Sequence, residues 1–207
     1  MNSKGLPEDP YNVIITGVGG QGNVIASRIL SAMLSLKGYR ITIGETFGAS
    51  QRGGSVMSHI RVSEESAWSP QIPKGKAHIV VSLEPVEAIR VMMLYGNPQV
   101  VVLANSRPID PVGVIAGELS YPGLDEIRKT LENLARRVWL VDATEQALKL
   151  GSPILGNIVM IGAVCGLEFL PVGVEEFKSV IREFIPENLA GVNVEAFEIG
   201  SRKITGT

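Results

Sequence analysis

The stretch Val13-Ile14-Ile15-Thr16-Gly17-Val18-Gly19-Gly20-Gln21-Gly22 decides the fold of this chain. Its first four residues form a short, mainly β-branched run, as expected for a central parallel strand that is buried on both faces. The glycines that follow satisfy the spacing G-x-G-x-x-G where a helical pattern begins over 23–37. Residues 40–43 form a second such run. Strand, glycine turn, helix and strand together predict a βαβ unit with parallel strands.

Short apolar runs and helical patterns continue to alternate along the chain. Further strands are predicted at 56–62, 77–82, 100–104 and 138–141, and further helices at 85–95, 124–136, 144–150, 156–168, 174–184 and 188–197. The 56–62 run alternates in polarity, which favours an antiparallel strand, and 105–123 indicates a loop with short strands. These patterns predict one α/β domain over 1–207, after a loose leader at 1–11. Its sheet is open, mostly parallel and Rossmann-like, with helices on both faces and a helical C-terminal third.

The composition argues against several classes of function. The 207 residues are 45% hydrophobic and carry a formal net charge of −2, which gives a nucleic-acid partner no electrostatic support. Cys165 is the single cysteine, so this sequence by itself builds no disulfide, zinc or iron–sulfur site, and a buried hydrophobe is its expected role. The N-terminus has no secretory pattern, and the apolar stretch 154–170 is too broken to span a bilayer. We expect a cytoplasmic protein with no membrane partner.

The first glycine turn has two possible roles: it binds a ligand, or it is purely structural. Free N–H groups at the start of a helix, together with the helix dipole, favour a phosphate or another anion. A nicotinamide dinucleotide would also need an acidic residue after the second strand, and Glu45 is the candidate. Three interpretations stay open: nicotinamide binding, contact with another anion, and glycines that serve only the crossover from strand to helix.

A second glycine-rich segment, Ser50-Gln51-Arg52-Gly53-Gly54-Ser55, follows the carboxyl end of the second strand. We expect it next to the first turn, at the end of the sheet where ligands bind in open α/β folds. Two successive glycines can expose several N–H groups, and Arg52 adds a cation suited to a phosphate or carboxylate. The alternative is a rigid surface turn in which Arg52 pairs with Glu45.

The other titratable residues predict no catalytic centre. His59 and His78 lie on strand patterns without a clustered carboxylate or cysteine, so neither is expected to have a special role. Glu84 and Glu87 flank Pro85 and are expected at the start of a helix, where the dipole favours acids. The sequence contains no P-loop lysine, serine-nucleophile elbow or H-E-x-x-H motif.

Several motifs together resemble a known family. They are Gly17–Gly22, Gly44–Thr46, Ser50–Ser55, Ser82–Pro85 and Asn157–Ala163. In this order and spacing they resemble the gamma subunit, or gamma domain, of 2-oxoacid:ferredoxin oxidoreductases over residues 11–199. Within that family the segment Gly44–Ser55, with His59 and Arg61 following, is most similar to the beta subunit of indolepyruvate:ferredoxin oxidoreductase, which is the equivalent of the gamma chain. The pyruvate, oxoglutarate and branched-chain oxoacid enzymes remain open.

The resemblance implies a subunit of a complex that oxidatively decarboxylates a 2-oxoacid. Coenzyme A would receive the acyl group, and ferredoxin would receive the electrons through the complex. Thiamine diphosphate, magnesium and iron–sulfur clusters would be bound by partner subunits, with no cofactor in this chain. In isolation the chain is expected to be inactive, and a homodimer is one expected form.

No catalytic or metal-binding residue is expected in this chain. The two glycine segments would face the partner or coenzyme A, with Arg52 as the anion contact. The residues assigned to this face are Gly17, Gly19, Gly20, Gln21, Gly22, Glu45, Ser50, Gln51, Arg52, Gly53, Gly54 and Ser55. Two rival hypotheses are a stand-alone NAD(P)-binding Rossmann oxidoreductase and a scaffold whose loops contact only protein.

Overall fold

The computed structural model describes residues 5–48 and 54–205, and within these ranges a mixed sheet is packed between helices. Its strands are β1 (Tyr11–Val18), β2 (Arg40–Phe47), β3 (Ser55–Ser63), β4 (Ile79–Ser82), β5 (Val101–Asn105) and β6 (Arg137–Val141). Its helices are α1 (Asn23–Leu36), α2 (Pro85–Tyr95), α3 (Val112–Ile115), α4 (Leu124–Leu134), α5 (Ala143–Lys149), α6 (Gly156–Gly166), α7 (Val174–Phe184) and α8 (Glu187–Thr205). A 3-10 turn, Pro153–Leu155, precedes α6.

The strands of the described sheet are ordered β2-β3-β1-β4-β5-β6. β3 is antiparallel to both β1 and β2, and the pairs β1–β4, β4–β5 and β5–β6 are parallel. β1 and β2 therefore run in the same direction, as the βαβ unit predicts, but β3 lies between them. The predicted open, mostly parallel sheet is confirmed, and so is the antiparallel direction of the 56–62 strand.

β1 is buried along its whole length, which explains its unbroken apolar run. Val13 and Ile15 belong to a core that includes α1 and the C-terminal helices. Ile14 belongs to a second core, with α2 and α4, on the other face. Burying each of these side chains stabilises the fold by roughly 1.5–3 kcal/mol. The prediction of helices on both faces is thus confirmed.

The second strand is longer than its apolar run predicts. β2 continues to Phe47 and pairs with β3 along its whole length. Glu45, which we expected beyond the strand, is instead a strand residue opposite Ser58. Gly48 N–H donates to the Ser55 carbonyl at 2.8 Å, so the β2–β3 connection is a hairpin. Cross-strand pairing, which a local pattern does not reveal, extends the strand.

Two irregular regions also differ from expectation. Tyr11 is the first residue of β1, and the described part of the leader, residues 5–10, is anchored to Glu64: Leu6 N–H donates to the Glu64 carboxylate at 3.0 Å, and Glu64 N–H donates to Asp9 at 2.8 Å. Residues 106–123, all of them described, contain the short helix α3 and none of the expected short strands. Prolines supply no N–H group to a strand ladder, which favours this irregular path.

The C-terminal third is helical, as predicted, with α6 at its centre. Every residue of α6 is buried, and α8 packs directly on it. A Cβ atom at Gly162 would lie 1.9 Å from the Phe197 carbonyl oxygen, and one at Gly200 would lie 1.9 Å from the Val159 carbonyl oxygen. The two helices can therefore cross this closely only with glycine at both positions. Among the described residues, no helix is long and apolar enough to cross a membrane.

Candidate functional site

The carboxyl ends of β1, β4 and β5 open into a cavity of about 370 Å³ at one edge of the sheet. The polar groups around it come from the β1–α1 turn, the end of β5 and the starts of α5 and α6. They include Gly20, Asn105, Arg107, Thr144 and Asn157. The connections after β1 and β4 lead to helices on opposite faces, and such a switch point is where open α/β sheets bind ligands.

Gln21 fastens the first glycine turn to the neighbouring strand. Its side-chain oxygen accepts from Val18 N–H at 2.8 Å, and its side-chain nitrogen donates to the Leu83 carbonyl at 2.7 Å. A Cβ at Gly17 would lie 2.7 Å from the Gln21 oxygen and 2.9 Å from the Leu83 Cβ. Gly17 and Gln21 therefore have a structural explanation, because they let β1 and β4 end side by side at the cavity.

The last two glycines of the turn have different surroundings. Gly22 has φ +80°, and a Cβ there would lie 2.2 Å from the side-chain nitrogen of Asn157. That nitrogen donates to the Gly22 carbonyl at 3.2 Å and joins the start of α6 to the turn. Gly20 has φ +104°, and a Cβ there would meet no described atom within 4 Å. Gly20 is thus the glycine of the turn whose backbone borders open space in the cavity.

The described end of the second glycine segment, Gly54 and Ser55, lies next to the first glycine turn. Gly19 N–H donates to the Gly54 carbonyl at 2.9 Å. Ser55 Oγ donates to a buried carboxylate oxygen of Glu87 at 2.6 Å, which connects the hairpin to α2. Ser50, Gln51, Arg52 and Gly53 lie outside the described residues, and ligand contact by either segment stays a prediction.

Glu45 does not line the described cavity. Its carboxylate lies 3.7 Å from Nε of Arg28 on α1, and its side chain is largely shielded from solvent. An acid paired with a cation is a weaker partner for ribose hydroxyl groups, because the cation competes for the same oxygens. This geometry gives no support to Glu45 as a dinucleotide-binding residue.

Polar residues on the far side of the cavity were not predicted from the sequence. The Asn105 side chain donates to the Leu83 carbonyl at 3.1 Å and to Thr144 Oγ1 at 2.8 Å, and it accepts from Thr144 N–H at 3.2 Å. Arg107 is exposed and makes no ion pair or hydrogen bond with the described residues. The position of Asn105 could have indicated its role, because it ends β5 at the same edge of the sheet as the glycine turn.

The two acids after β4 begin a helix, as predicted. Glu84 caps α2: it accepts from Glu87 N–H at 3.0 Å and from the Tyr121 hydroxyl, while Pro85 occupies the first turn. Burial, the hydrogen bond to Glu84 and its charge raise the pKa of Tyr121 well above the usual range. Both carboxylates are buried beside a second cavity of about 500 Å³, which also touches Val18.

The histidines and the cysteine lie away from the 370 Å³ cavity. His59 is buried against Tyr95, and burial lowers its pKa. His78 stacks on Tyr11, and burial outweighs the nearby Glu8 charge in lowering its pKa. Cys165 is buried, and burial raises its pKa above the usual range of a thiol. Within the described part of the chain, no group of three His, Cys, Asp or Glu residues could hold a metal ion.

The fold is a Rossmann-like α/β fold with a cavity at the switch point of its sheet. Residues 12–203 match the family described as pyruvate ferredoxin/flavodoxin oxidoreductase. The chain belongs to this family.

Curated relatives agree with the assignment. The chain is 39% identical over 191 residues to indolepyruvate oxidoreductase subunit IorB of Thermococcus kodakarensis, covering 92% of this chain and 94% of the relative. It is 30% identical over 191 residues to pyruvate synthase subunit PorC of Methanothermobacter marburgensis, covering 91% of this chain and 94% of the relative. The family resemblance predicted from the glycine motifs is confirmed, and a stand-alone NAD(P)-binding oxidoreductase is not favoured.

Solved structures confirm the fold. The gamma subunit of a keto/oxoacid ferredoxin oxidoreductase from Geobacter sulfurreducens superposes with a TM-score of 0.68 at 21% identity, covering 95% of this chain and 99% of that one. A 2-oxoglutarate:ferredoxin oxidoreductase from Magnetococcus marinus, solved with 2-oxoglutarate, coenzyme A and succinyl-CoA, gives a TM-score of 0.74 at 17% identity. That match covers 97% of this chain and 32% of the longer one.

Proposed function

We propose that this chain is the gamma-type subunit of a 2-oxoacid:ferredoxin oxidoreductase complex that carries out coenzyme A-dependent oxidative decarboxylation. The chain would form the coenzyme A side of the thiamine site and contribute to assembly. Its family and the names of the IorB and PorC relatives support the complex. The coenzyme A bound in the Magnetococcus structure supports the ligand.

The observation that carries the ligand proposal is the cavity at the carboxyl edge. It combines the open backbone of Gly20 with the guanidinium of Arg107, which has no partner among the described residues. A guanidinium and exposed amides suit a phosphate, and coenzyme A contains several phosphate groups. Arg52, outside the described residues, would add a second cation from the hairpin.

The redox cofactors would be bound by partner subunits. A four-cysteine cluster needs four thiolates, whereas this sequence has one cysteine, Cys165, whose side chain is buried. Thiamine diphosphate would supply the decarboxylation chemistry on a partner. This chain would orient coenzyme A, exclude water from the shared site and hold a phosphate near Arg107. We also propose a cytoplasmic location.

The test is Arg107→Ala in the assembled complex. A lost hydrogen bond to a charged group is worth about 1.5–3 kcal/mol, so the KM for coenzyme A should rise about tenfold or more, with kcat nearly unchanged. Arg52→Ala should act in the same direction. Arg40→Ala is the matched control. Arg40 is an exposed arginine at the amino end of β2, whereas the cavity lies at the carboxyl ends of the strands.

Normal assembly with an unchanged KM in both variants would overturn the anion contact. Loss of co-purification without any change in the kinetics of the remaining complex would favour the scaffold hypothesis. Calorimetry of the isolated chain provides a separate test, since micromolar affinity for NAD(H) or NADP(H) would favour the stand-alone oxidoreductase.

A further inference from the structure

The buried carboxylate of Glu84 joins the start of α2 to the long connection between β5 and α4. Glu84 is 2% exposed. Its Oε2 accepts from Glu87 N–H at 3.0 Å and caps the helix. Its Oε1 accepts from the Tyr121 hydroxyl and, at 3.5 Å, from Ile109 N–H. The two oxygens therefore have separate partners, since one belongs to the helix and the other holds both ends of residues 109–121.

This connection carries Arg107, and its backbone is fixed on the side that precedes the arginine. Ser106 N–H donates to the Val141 carbonyl at 2.8 Å, which ties the chain to the end of β6. Pro108 follows Arg107, and a residue before proline is restricted to extended backbone conformations. The path of the backbone at Arg107 then depends on where the chain is held after the proline.

On that second side the chain is held by Glu84 together with Tyr121. The amide of Ile109 and the hydroxyl of Tyr121 donate to the same oxygen, and the hydroxyl makes the closer contact. Burial and the hydrogen bond to Glu84 raise the pKa of Tyr121 well above the usual range, so the hydroxyl keeps its proton and remains a donor. Ile109 lines both the 370 Å³ and the 500 Å³ cavities. The position of this one oxygen therefore affects the wall of the cavity that includes Arg107.

The side chain of Arg107 has no other group to orient it. It is exposed and makes no ion pair or hydrogen bond with the described residues, although it lines the cavity with Gly20. The placement of its guanidinium is then decided by its backbone. A binding group whose backbone is held in advance loses less conformational freedom when its ligand binds.

We propose that Tyr121 and Glu84 are positioning residues for the proposed coenzyme A site. Through Glu84 Oε1 they hold the backbone after Arg107, so that its guanidinium can meet a phosphate group. Neither residue touches the ligand, because both act through Arg107. This inference rests on the proposed function, since it requires the anion contact at Arg107. The competing explanation is that Glu84 only caps α2, which gives Tyr121 no part in ligand binding.

The first test is Tyr121→Phe in the assembled complex. The change keeps the ring, removes the hydroxyl and leaves the cap at Glu84 Oε2 in place. The KM for coenzyme A should rise about three- to tenfold, with kcat and the KM for the 2-oxoacid nearly unchanged, because only the phosphate contact is disturbed. Tyr95→Phe is the matched control: Tyr95 is a buried tyrosine at the last position of the same helix, roughly 15 Å from Glu84 along its axis. It should leave all three constants unchanged.

A second variant, Glu84→Asp, separates positioning from capping. Aspartate is also a favourable N-cap residue, but its carboxylate is one methylene group closer to the backbone. The variant should keep α2 and a melting temperature close to that of the unchanged complex, yet withdraw the acceptor from Tyr121 and Ile109. We expect the KM for coenzyme A to rise as it does in Tyr121→Phe. A residue that only caps the helix would leave this KM unchanged.

The third measurement asks whether Tyr121 acts through Arg107. In an Arg107→Ala background, adding Tyr121→Phe should raise the KM for coenzyme A by less than about 1.5-fold, because no guanidinium is left to position. If the effects of the two single changes multiply in full, Tyr121 acts by another route, and the proposal is overturned.

The outcomes distinguish this inference from the proposed function. An unchanged KM in Arg107→Ala overturns the Arg107 contact of the proposed function, and the inference falls with it. If Arg107→Ala raises the KM but either Tyr121→Phe or Glu84→Asp leaves it unchanged, only the positioning role is overturned. A lower kcat and a higher KM for the 2-oxoacid in Tyr121→Phe would show a general disturbance of the fold, which also overturns that role.

Discussion

Glycine serves opposite purposes in the α6–α8 crossing and in the β1–α1 turn. At the crossing, Gly162 and Gly200 remove side chains where each helix backbone approaches the other, so the space a Cβ would need is already filled. In the turn, Gly20 has open space around it and a φ of +104°, so what glycine supplies is a backbone conformation. The comparison shows that the same residue type allows close helix packing in one place and leaves the backbone accessible in the other.

The largest expected effect is at the crossing. Gly162→Ala would place a methyl group 1.9 Å from the Phe197 carbonyl oxygen, so α6 and α8 must separate. We expect a loss of about 3–5 kcal/mol in the free energy of unfolding, or failure to fold. Denaturant titration followed by circular dichroism measures it. In the same helix α8, Gly191 has open space, and Gly191→Ala should stabilise the protein by about 0.5–1 kcal/mol. Equal behaviour of the two variants would contradict the packing explanation.

A smaller loss is expected where the turn is fastened to β4. Gln21→Ala removes the side-chain acceptor of Val18 N–H and one of the two side-chain donors to the Leu83 carbonyl, which should lower the free energy of unfolding by about 1–3 kcal/mol. Gln146→Ala removes one hydrogen bond to Asp142 on a half-exposed helix surface, and it should change stability by less than about 0.5 kcal/mol. Chemical denaturation of both variants measures the difference. A Gln21 variant as stable as the Gln146 variant would show that the turn does not depend on this fastening.

The smallest effect is expected at Gly20. Gly20→Ala meets no steric obstacle, so its penalty is the strain of positive φ alone, about 1–2 kcal/mol. Gly123→Ala, at an equally open glycine with φ −63°, should be close to neutral. Thermal melts of the two alanine variants provide the measurement. A loss at Gly20 as large as that at Gly162 would mean that a contact, and not a backbone angle, requires glycine in the turn.

Local signals predicted much of the secondary structure. The bounds predicted for α2 and α7, 85–95 and 174–184, are those of the structure. For α2 the reason is local chemistry: Glu84 caps the helix and Pro85 begins it. α8 extends well past its predicted end at 197, because packing on α6 stabilises turns whose own apolar pattern is weak.

The candidate site was predicted only in part. The glycine motifs placed the β1–α1 turn correctly, and their order and spacing predicted the family. Asn105, Arg107 and Thr144 were missed, because each is an unremarkable polar residue until parallel strands bring its loop to the same edge. Glu45 was expected beside the ligand, but pairing of β2 with β3 keeps it within a strand and next to Arg28.

The sequence by itself determined the α/β class, the glycine turn after β1 and the family, because each depends on residues that are close together in the chain. The tertiary structure decided that β3 lies between β1 and β2, that the 370 Å³ cavity contains an arginine without a partner among the described residues, and that Val112, Ile115 and Leu119 are exposed. These three features depend on which distant segments become neighbours. Burial and strand pairing over the whole chain decide which segments become neighbours, and a local sequence pattern does not predict this.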